Sequence, residues 1–104
     1  MDYSIPLNIP AKSLYKFIYV YENEYDKLLN PIFNSGNYCT YAQFTEIYKQ
    51  MYPNISDSYA IKKCRSILKK LDELKFIEIC SINKHKYFYL KKSGRSLFTG
   101  NYLS

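Results

Sequence analysis

The chain has 104 residues, of which 47% are hydrophobic, so it can form one globular domain around one core but not two. No stretch approaches the roughly 18 consecutive apolar residues that a membrane-spanning helix needs. The net charge of +6 is unevenly placed: residues 1–55 carry a net −1, whereas residues 56–104 carry a net +7. We therefore predict a single domain over residues 1–104, with its core at about 11–98, and an anionic partner for its second half.

Few residues are of the kinds that catalysis or metal binding requires. His85 is the only histidine, and the three cysteines, Cys39, Cys64 and Cys80, form no C-x-x-C pair, so we expect them to be small buried hydrophobic residues. No glycine-rich phosphate loop or zinc-binding string occurs. We predict no enzyme, no metal and no cofactor. Because residues 1–6 lack the basic start and apolar run of a signal peptide, we expect a cytoplasmic protein.

The first predicted helix runs from about Pro10 to Asn30. Pro10 suits the first helical position, where its missing N–H would have no partner in any case. Apolar residues then recur at the three-and-four spacing of an amphipathic helix. Pro31 is expected to end the helix, and Asn34–Asn37 has the composition of a turn.

The second predicted helix begins at Thr40. Thr40 and Gln43 form a capping-box pattern, in which each side chain accepts a hydrogen bond from the other residue's backbone N–H. Pro53-Asn54 should stop this helix and make a short turn. Tyr38-Cys39, just ahead of it, is a candidate for a very short strand.

The third predicted helix runs from about Asp57 to Leu74, with Ser56 or Asp57 as its cap. Its apolar residues share one face, which should be buried: Ala60, Ile61, Cys64, Ile67, Leu68, Leu71 and Leu74. Its outer face is polar and mostly basic: Lys62, Lys63, Arg65, Ser66, Lys69 and Lys70.

Two short segments rich in Ile, Phe and Tyr follow the third helix. The segments Phe76–Ile82 and Lys86–Leu90, joined by the polar Asn83-Lys84-His85, predict a β-hairpin. The tail from Ser93 to Leu103 has room for one more helical turn, limited by its two glycines. The predicted fold class is α+β, with three helices followed by a two-stranded hairpin and Tyr38-Cys39 as a candidate third strand.

This order of elements, together with two short stretches of sequence, resembles the winged helix-turn-helix family over roughly residues 11–98. The stretches are the leucine-rich turn at Leu68, Leu71 and Leu74 with the pair Phe76-Ile77, and the hairpin end Tyr87–Leu97 with its Gly94. Regulators of the multidrug-resistance and phenolic-acid repressor type are similar, as are plasmid accessory proteins. The resemblance implies a DNA-binding domain whose hairpin is the wing.

The chain departs from that family pattern between its third helix and the following strand. Lys75 stands where relatives usually have glycine, so the helix must either end on a left-handed lysine or run straight into the strand. The wing loop is also short, at three to five residues.

A physical argument for nucleic acid holds beside the resemblance. A helix that enters the major groove needs cations for the phosphates and polar side chains near its N-terminus, and a basic hairpin tip can meet a neighbouring groove or phosphate strand. The candidate DNA-binding residues are Ser58, Tyr59, Lys62, Lys63, Ser66, Lys69, Lys70, Lys84, His85, Lys86, Lys91, Lys92 and Arg95. Their distribution leaves two docking modes open, through the third helix or through the hairpin.

Each group also has a structural interpretation without a ligand. The lysines of the third helix could be a solvated helix face, and His85 an exposed turn residue. Arg95 could pack its stem on the core and hold a carboxylate.

We therefore expect a small protein that binds specific sites in double-stranded DNA, as a transcriptional regulator or as an accessory factor of a plasmid or other mobile element. The processes would be replication, partition or conjugative transfer, with other proteins of a DNA-processing complex as further partners. A homodimer is expected, with residues 1–9 and the tyrosines of the first helix as its surface: Tyr15, Tyr19, Tyr21 and Tyr25. The alternative is a protein-docking module that does not bind DNA.

Overall fold

The computed structural model describes residues 11–99, with side chains described for residues 14–98. Five helices and three strands follow one another in this part of the chain: α1 (Ala11–Glu22), α2 (Tyr25–Asn34), β1 (Tyr38–Thr40), α3 (Tyr41–Met51), α4 (Asp57–Glu73), β2 (Ile77–Ile82), β3 (His85–Leu90) and α5 (Lys92–Thr99). The α+β fold class is confirmed, but the predicted count of three helices is wrong. Between residues 11 and 99, no helix is both long enough and apolar enough to cross a membrane.

The predicted first helix is in fact two helices. The break falls at Asn23 and Glu24, where Glu24 takes a left-handed conformation with φ of 60°. The Asn23 side-chain amide donates to the Tyr19 carbonyl at 2.9 Å, so it occupies an acceptor at the end of α1. The apolar spacing continues across this break because both helices bury residues in the same core, which is why the pattern predicts one helix. Pro10 lies outside the described residues.

Pro31 does not end a helix, contrary to the prediction. It lies inside α2, which continues to Asn34. Leu28, Leu29 and Ile32 are all buried on the inner side of α2, and this burial outweighs the backbone hydrogen bond that proline cannot make. The helix ends at Asn34, with Ser35 as its C-cap, and the chain then turns at Gly36, whose φ of +105° favours glycine.

Tyr21 was expected on a dimer surface, but it is buried with only 4% of its surface exposed. Its hydroxyl donates to the Leu97 carbonyl at 3.3 Å and so ties α1 to α5. Tyr19 and Tyr25 are partly buried and pack against the core. Tyr15 of α1 is exposed, with 61% of its surface accessible, and its place on a dimer surface stays a prediction.

Side-chain caps begin α3 and α4 as the sequence predicts. Thr40 accepts from the Gln43 backbone N–H at 3.1 Å, and the Gln43 side chain accepts from the Thr40 N–H at 2.9 Å, which completes the capping box. At α4 the cap is Ser56 rather than Asp57, since its hydroxyl accepts from the Tyr59 N–H at 3.2 Å. Each cap satisfies donors that a helix start leaves without partners.

Lys75 takes the left-handed conformation, with φ of 67°, and so performs the role usually given to glycine. The Phe76 N–H bonds to the Leu71 carbonyl and the Lys75 N–H to the Asp72 carbonyl, both at 3.0 Å. This pair of bonds is the Schellman arrangement at the end of a helix. It turns the chain directly from α4 into β2.

The three strands form an antiparallel sheet in the order β1-β3-β2. Cys39 and Ile79 both lie opposite Phe88, one on each side of it. The predicted short strand at Tyr38-Cys39 is confirmed and extends to Thr40. The hairpin turn is shorter than predicted, since it consists of Asn83 and Lys84 alone, both with positive φ (51° and 69°). Positive φ at both central residues defines the tight turn whose twist matches that of the strands.

The core lies between α4, the inner face of the sheet and the other helices. Phe88 packs edge to face against Phe44, and Phe76 packs in the same way against Phe17, with ring centroids 5.5 Å and 5.3 Å apart. All the apolar positions predicted for the inner face of α4 are buried except Ile61, which is 44% exposed. The tail forms a full helix, α5, rather than a single turn; the residues predicted beyond Thr99 lie outside the described part.

Candidate nucleic-acid interface

An open cleft of about 700 Å³ separates the outer side of α4 from the tip of the hairpin. Both predicted docking elements therefore contribute to one site. The helix α4 and the start of α3 form one wall, and β2, the turn and β3 form the other. The lining residues are Tyr41, Arg65, Lys69, Asp72, Ile79, Lys84, His85 and Lys86.

Positive charge dominates this cleft. Arg65, Lys69, Lys84 and Lys86 face a single carboxylate, that of Asp72. The ion pairs that the structure describes join other residues, namely Lys27 with Glu24, Lys49 with Asp57 and Lys91 with Glu78. Within the described residues, the four cleft cations thus have no carboxylate within ion-pair distance. Uncompensated cations on two facing walls are suited to hold a polyanion.

Tyr41, the first residue of α3, lines the cleft. Burial raises the pKa of its hydroxyl, the charge of Asp72 raises it further, and the charge of Arg65 lowers it. The Asp72 and Arg65 charges, which line the same cleft, therefore both act on the Tyr41 hydroxyl. The capping box at Thr40 fixes where α3 starts, and so it also fixes the place of Tyr41 in the cleft wall.

The predicted residues on α4 divide into two groups. At about 100° per residue, Ser58, Lys62 and Lys69 fall on one strip of the helix, and Ser66, Tyr59 and Lys63 are rotated progressively away from it. All six side chains are exposed. Lys69 lines the cleft, whereas Ser58 and Lys62 lie on the same strip nearer the helix N-terminus.

Lys70, Lys91, Lys92 and Arg95 do not join the cleft. The Lys70 ammonium lies 5.3 Å from the centre of the Tyr19 ring, so it is turned toward α1 in a cation–π contact. Lys91 pairs with Glu78 at 3.4 Å. Lys92 and Arg95 are exposed on α5, at the end of β3 farthest from the hairpin tip. The length of β3 therefore separates these tail cations from those of the hairpin tip.

Arg65 and Tyr41 were not among the predicted site residues. Arg65 is one of the two arginines, and it precedes Lys69 by four residues and Asp72 by seven. Residues at this spacing share a helix face, so the pattern alone could have grouped them. The position of Tyr41 has no such signal, because it depends on how α3 packs against α4.

The cysteines follow the expectation in two cases of three. Cys39 and Cys64 are buried, with 5% and 2% of their surfaces exposed, and burial raises the pKa of the Cys39 thiol to about 11. Cys80 is only partly buried, and its neighbour across the hairpin is Tyr87. In the described part of the chain, no group of three or more His, Cys, Asp and Glu residues could hold a metal ion.

Comparison of the chain with protein-family models, with curated proteins and with solved structures finds no match in any of the three.

Proposed function

We propose that this protein is a winged helix-turn-helix protein that binds double-stranded DNA in the cleft between α4 and the hairpin. The order β1, α3, α4, β2, β3 and the sheet order β1-β3-β2 support this arrangement, with α4 as the recognition helix and the β2–β3 hairpin as the wing. The two docking modes that the sequence leaves open then become one. A duplex held in the cleft contacts the helix and the wing together.

One observation carries the proposal: the two facing walls of the cleft present Arg65, Lys69, Lys84 and Lys86 without carboxylate partners in the described residues. Protein surfaces usually intersperse charges of both signs. A concentration of cations on two separate elements favours a ligand that supplies many negative charges, and a phosphate backbone does so.

In this proposal, Lys69, Lys84 and Lys86 contact phosphates and Arg65 lies nearest the bases. Arginine suits that place because its planar guanidinium can bond two acceptors of guanine at once. Ser58 and Lys62, on the strip that continues from Lys69 toward the helix N-terminus, extend the contact along the groove.

The protein acts as a homodimer on paired half-sites, as a transcriptional regulator or as an accessory factor of a mobile element. An exposed apolar group on α1 supports such a dimer, namely Leu14, Tyr15 and Ile18, with 38%, 61% and 37% of their surfaces exposed. Apolar side chains grouped in this way on one helix are suited to a partner surface. Sedimentation of wild type and of Tyr15→Glu tests this part by itself, since the substitution should shift the dimer toward monomer.

The test of DNA binding is fluorescence anisotropy with labelled duplexes at several salt concentrations. Counterion release predicts a log–log slope of about −0.9 for each phosphate neutralised. Lys69→Glu and Lys86→Glu should each weaken binding to every duplex and reduce the slope by about 1. Arg65→Ala should cost about 1–3 kcal/mol on the preferred site and less on other sequences.

Lys16→Glu on α1 is the matched control, because it makes the same charge change outside the cleft. Its affinity should fall far less than that of the two cleft variants. Equal losses in all three would indicate attraction by net charge alone. No binding to any duplex at low salt would favour the protein-docking alternative and remove the proposal.

A further inference from the structure

One face of the sheet points away from the core and is called its open face. Its tyrosines do not line the duplex-binding cleft, so duplex binding gives no reason for them. Side chains alternate along a strand, so the residues beside Phe88 on β3 point away from the core. These are Tyr87 and Tyr89, and Tyr38 lies on the same face of β1, directly opposite Tyr89. Tyr38 has 64% of its surface exposed, more than any other large hydrophobic side chain that the structure describes.

The three tyrosine rings form one continuous aromatic surface. The centre of the Tyr38 ring lies 5.6 Å from that of Tyr89 and 6.4 Å from that of Tyr87, and the planes are inclined by 42° and 33°. Rings at these distances contact one another. Tyr38 therefore contacts both other rings and is largely exposed to solvent.

A lysine borders this aromatic surface at each end of β3. At one end is Lys84 in the turn, beside His85, which precedes Tyr87 by two residues on the same face. At the other end, Lys91 follows the strand and pairs with Glu78, the residue of β2 opposite Tyr89. From His85 to Lys91 the chain advances about 20 Å. Glu78 is the one carboxylate on this face of the described strands, and Lys91 offsets its charge.

We propose that the face formed by Tyr38, Tyr87 and Tyr89 binds single-stranded nucleic acid by stacking unpaired bases on the tyrosine rings. Two or three aromatic rings on an open sheet are sufficient to stack two or three bases, and such stacking accepts any base because every base has a π-face. Lys84 contacts a phosphate beside the stacked bases, and because Lys91 offsets Glu78, the described strands present no uncompensated carboxylate to the nucleic acid on this face. The three tyrosines do not line the cleft, whereas Lys84 and His85 at the turn border both sites. Stacking on the tyrosines does not depend on duplex binding.

The charges at the two ends favour a polyanion over a second copy of this chain. From the described strands, a second copy that met this face would offer Lys84 only Glu78, which Lys91 already pairs, whereas a phosphate would neutralise the Lys84 charge. The aromatic area and its charged borders thus fit one occupant better than the other.

Fluorescently labelled oligothymidine and oligouridine of about 12 nucleotides are suitable probes, since neither forms a duplex with itself. Anisotropy at low salt should show binding, and the difference between the two probes tells whether DNA or RNA is preferred. Tyr38→Leu should raise the dissociation constant about fivefold or more, because it removes one stacking surface. Tyr38→Phe should bind like wild type, because it keeps the ring.

Tyr52→Leu is the matched control, since Tyr52 is also exposed, at 38%, but lies at the end of α3 and not on the sheet. It should leave the affinity for both probes unchanged, and circular dichroism should show the wild-type fold in all three variants. The cleft variant Lys69→Glu separates the two sites, because it should weaken duplex binding while affecting the single-stranded probes much less.

Three results would overturn the proposal. The first is no binding of either probe at low salt. The second is equal binding by wild type and Tyr38→Leu. The third is a wild-type dimer in sedimentation that Tyr38→Leu converts to monomer, which would assign the face to a second copy.

Discussion

The α-carbon of Gly94 lies against the backbone carbonyl oxygen of Phe76, so that a β-carbon at position 94 would fall well inside van der Waals contact with that oxygen. This close approach holds α5 against the start of β2. Two hydrogen bonds reinforce it, from the Lys91 N–H to the same Phe76 carbonyl at 2.9 Å and from the Ser93 hydroxyl to the Lys75 carbonyl. The junction of α4 with β2 is therefore packed against the C-terminal helix.

Gly94→Ala should lower the free energy of unfolding by about 1–3 kcal/mol, because the added methyl group must push α5 away from β2. Alanine is the better helix former by about 1 kcal/mol, so a loss of stability would identify the steric contact as its cause. Urea denaturation measures the effect, with Arg95→Ala on the exposed side of the same helix as control. A Gly94→Ala protein as stable as wild type would contradict the contact.

Lys75→Gly should raise the free energy of unfolding by about 1 kcal/mol, because glycine adopts the left-handed conformation at this position without steric cost. Thermal and urea denaturation both test it. Glu73→Gly, two residues earlier and still helical, is the control and should instead lose about 1 kcal/mol. If both substitutions destabilised the protein, the Schellman ending of α4 would be wrong.

Lys84→Gly should have opposite effects on stability and on DNA affinity. Asn-Gly is the preferred pair for a turn with two positive φ angles, so the hairpin should gain about 1 kcal/mol. Removal of the charge should weaken duplex binding, since Lys84 lines the cleft. Denaturation and anisotropy on the same preparation check both effects. Lys16→Gly is the control and should not combine a gain in stability with a loss of duplex affinity.

Stability should fall as the pH rises from 10 to 12, in part because of Tyr21. Burial first, and then the charge of Asp26, raises the pKa of Tyr21 from 10.0 to about 12. The folded state therefore keeps the proton that the unfolded state loses, and the stabilisation that is complete below pH 10 is lost as the pH approaches 12. Urea midpoints measured across this range give the slope.

Tyr21→Phe should flatten that slope without removing it, since burial also raises the pKa of Tyr25 to about 12. Loss of the hydrogen bond to Leu97 shifts the stability of Tyr21→Phe at every pH, so the comparison rests on slopes alone. If Tyr21→Phe kept the wild-type slope, the Tyr21 hydroxyl of the wild type would be exposed to solvent and the prediction would be wrong.

Helix capping and turn formation depend on residues close together in the sequence, and these parts of the fold could be predicted. Thr40 and Gln43 form their capping box, and Lys75 takes one of the two endings that its place allows. The break at Glu24 and the continuation of α2 through Pro31 depend instead on burial in a shared core. Periodicity reports that a face is apolar, but it does not report where the helix axis changes direction.

Most of the charged residues of the candidate site could be predicted from the sequence. It could not be predicted that residues of α4 and of the hairpin line the same cleft. The spacing of Lys62 and Lys69 places both on the outer side of α4, and the polar turn places Lys84 at a tip. That Lys69 and Lys86 face each other across one cleft depends on the left-handed turn at Lys75 and on the packing of α4 against β2. The open tyrosine face depends in the same way on the pairing of β1 with β3, which joins residues about 50 positions apart.

The unequal burial of the three cysteines makes the native chain selectively addressable by thiol reagents. Cys39 and Cys64 are enclosed in the core, so an electrophile such as a maleimide should couple first at Cys80, opposite Tyr87 on the open face of the sheet. A reporter dye can thus be attached beside the aromatic surface without any substitution. The rate of its coupling, with and without an oligonucleotide, would show whether that surface is occupied.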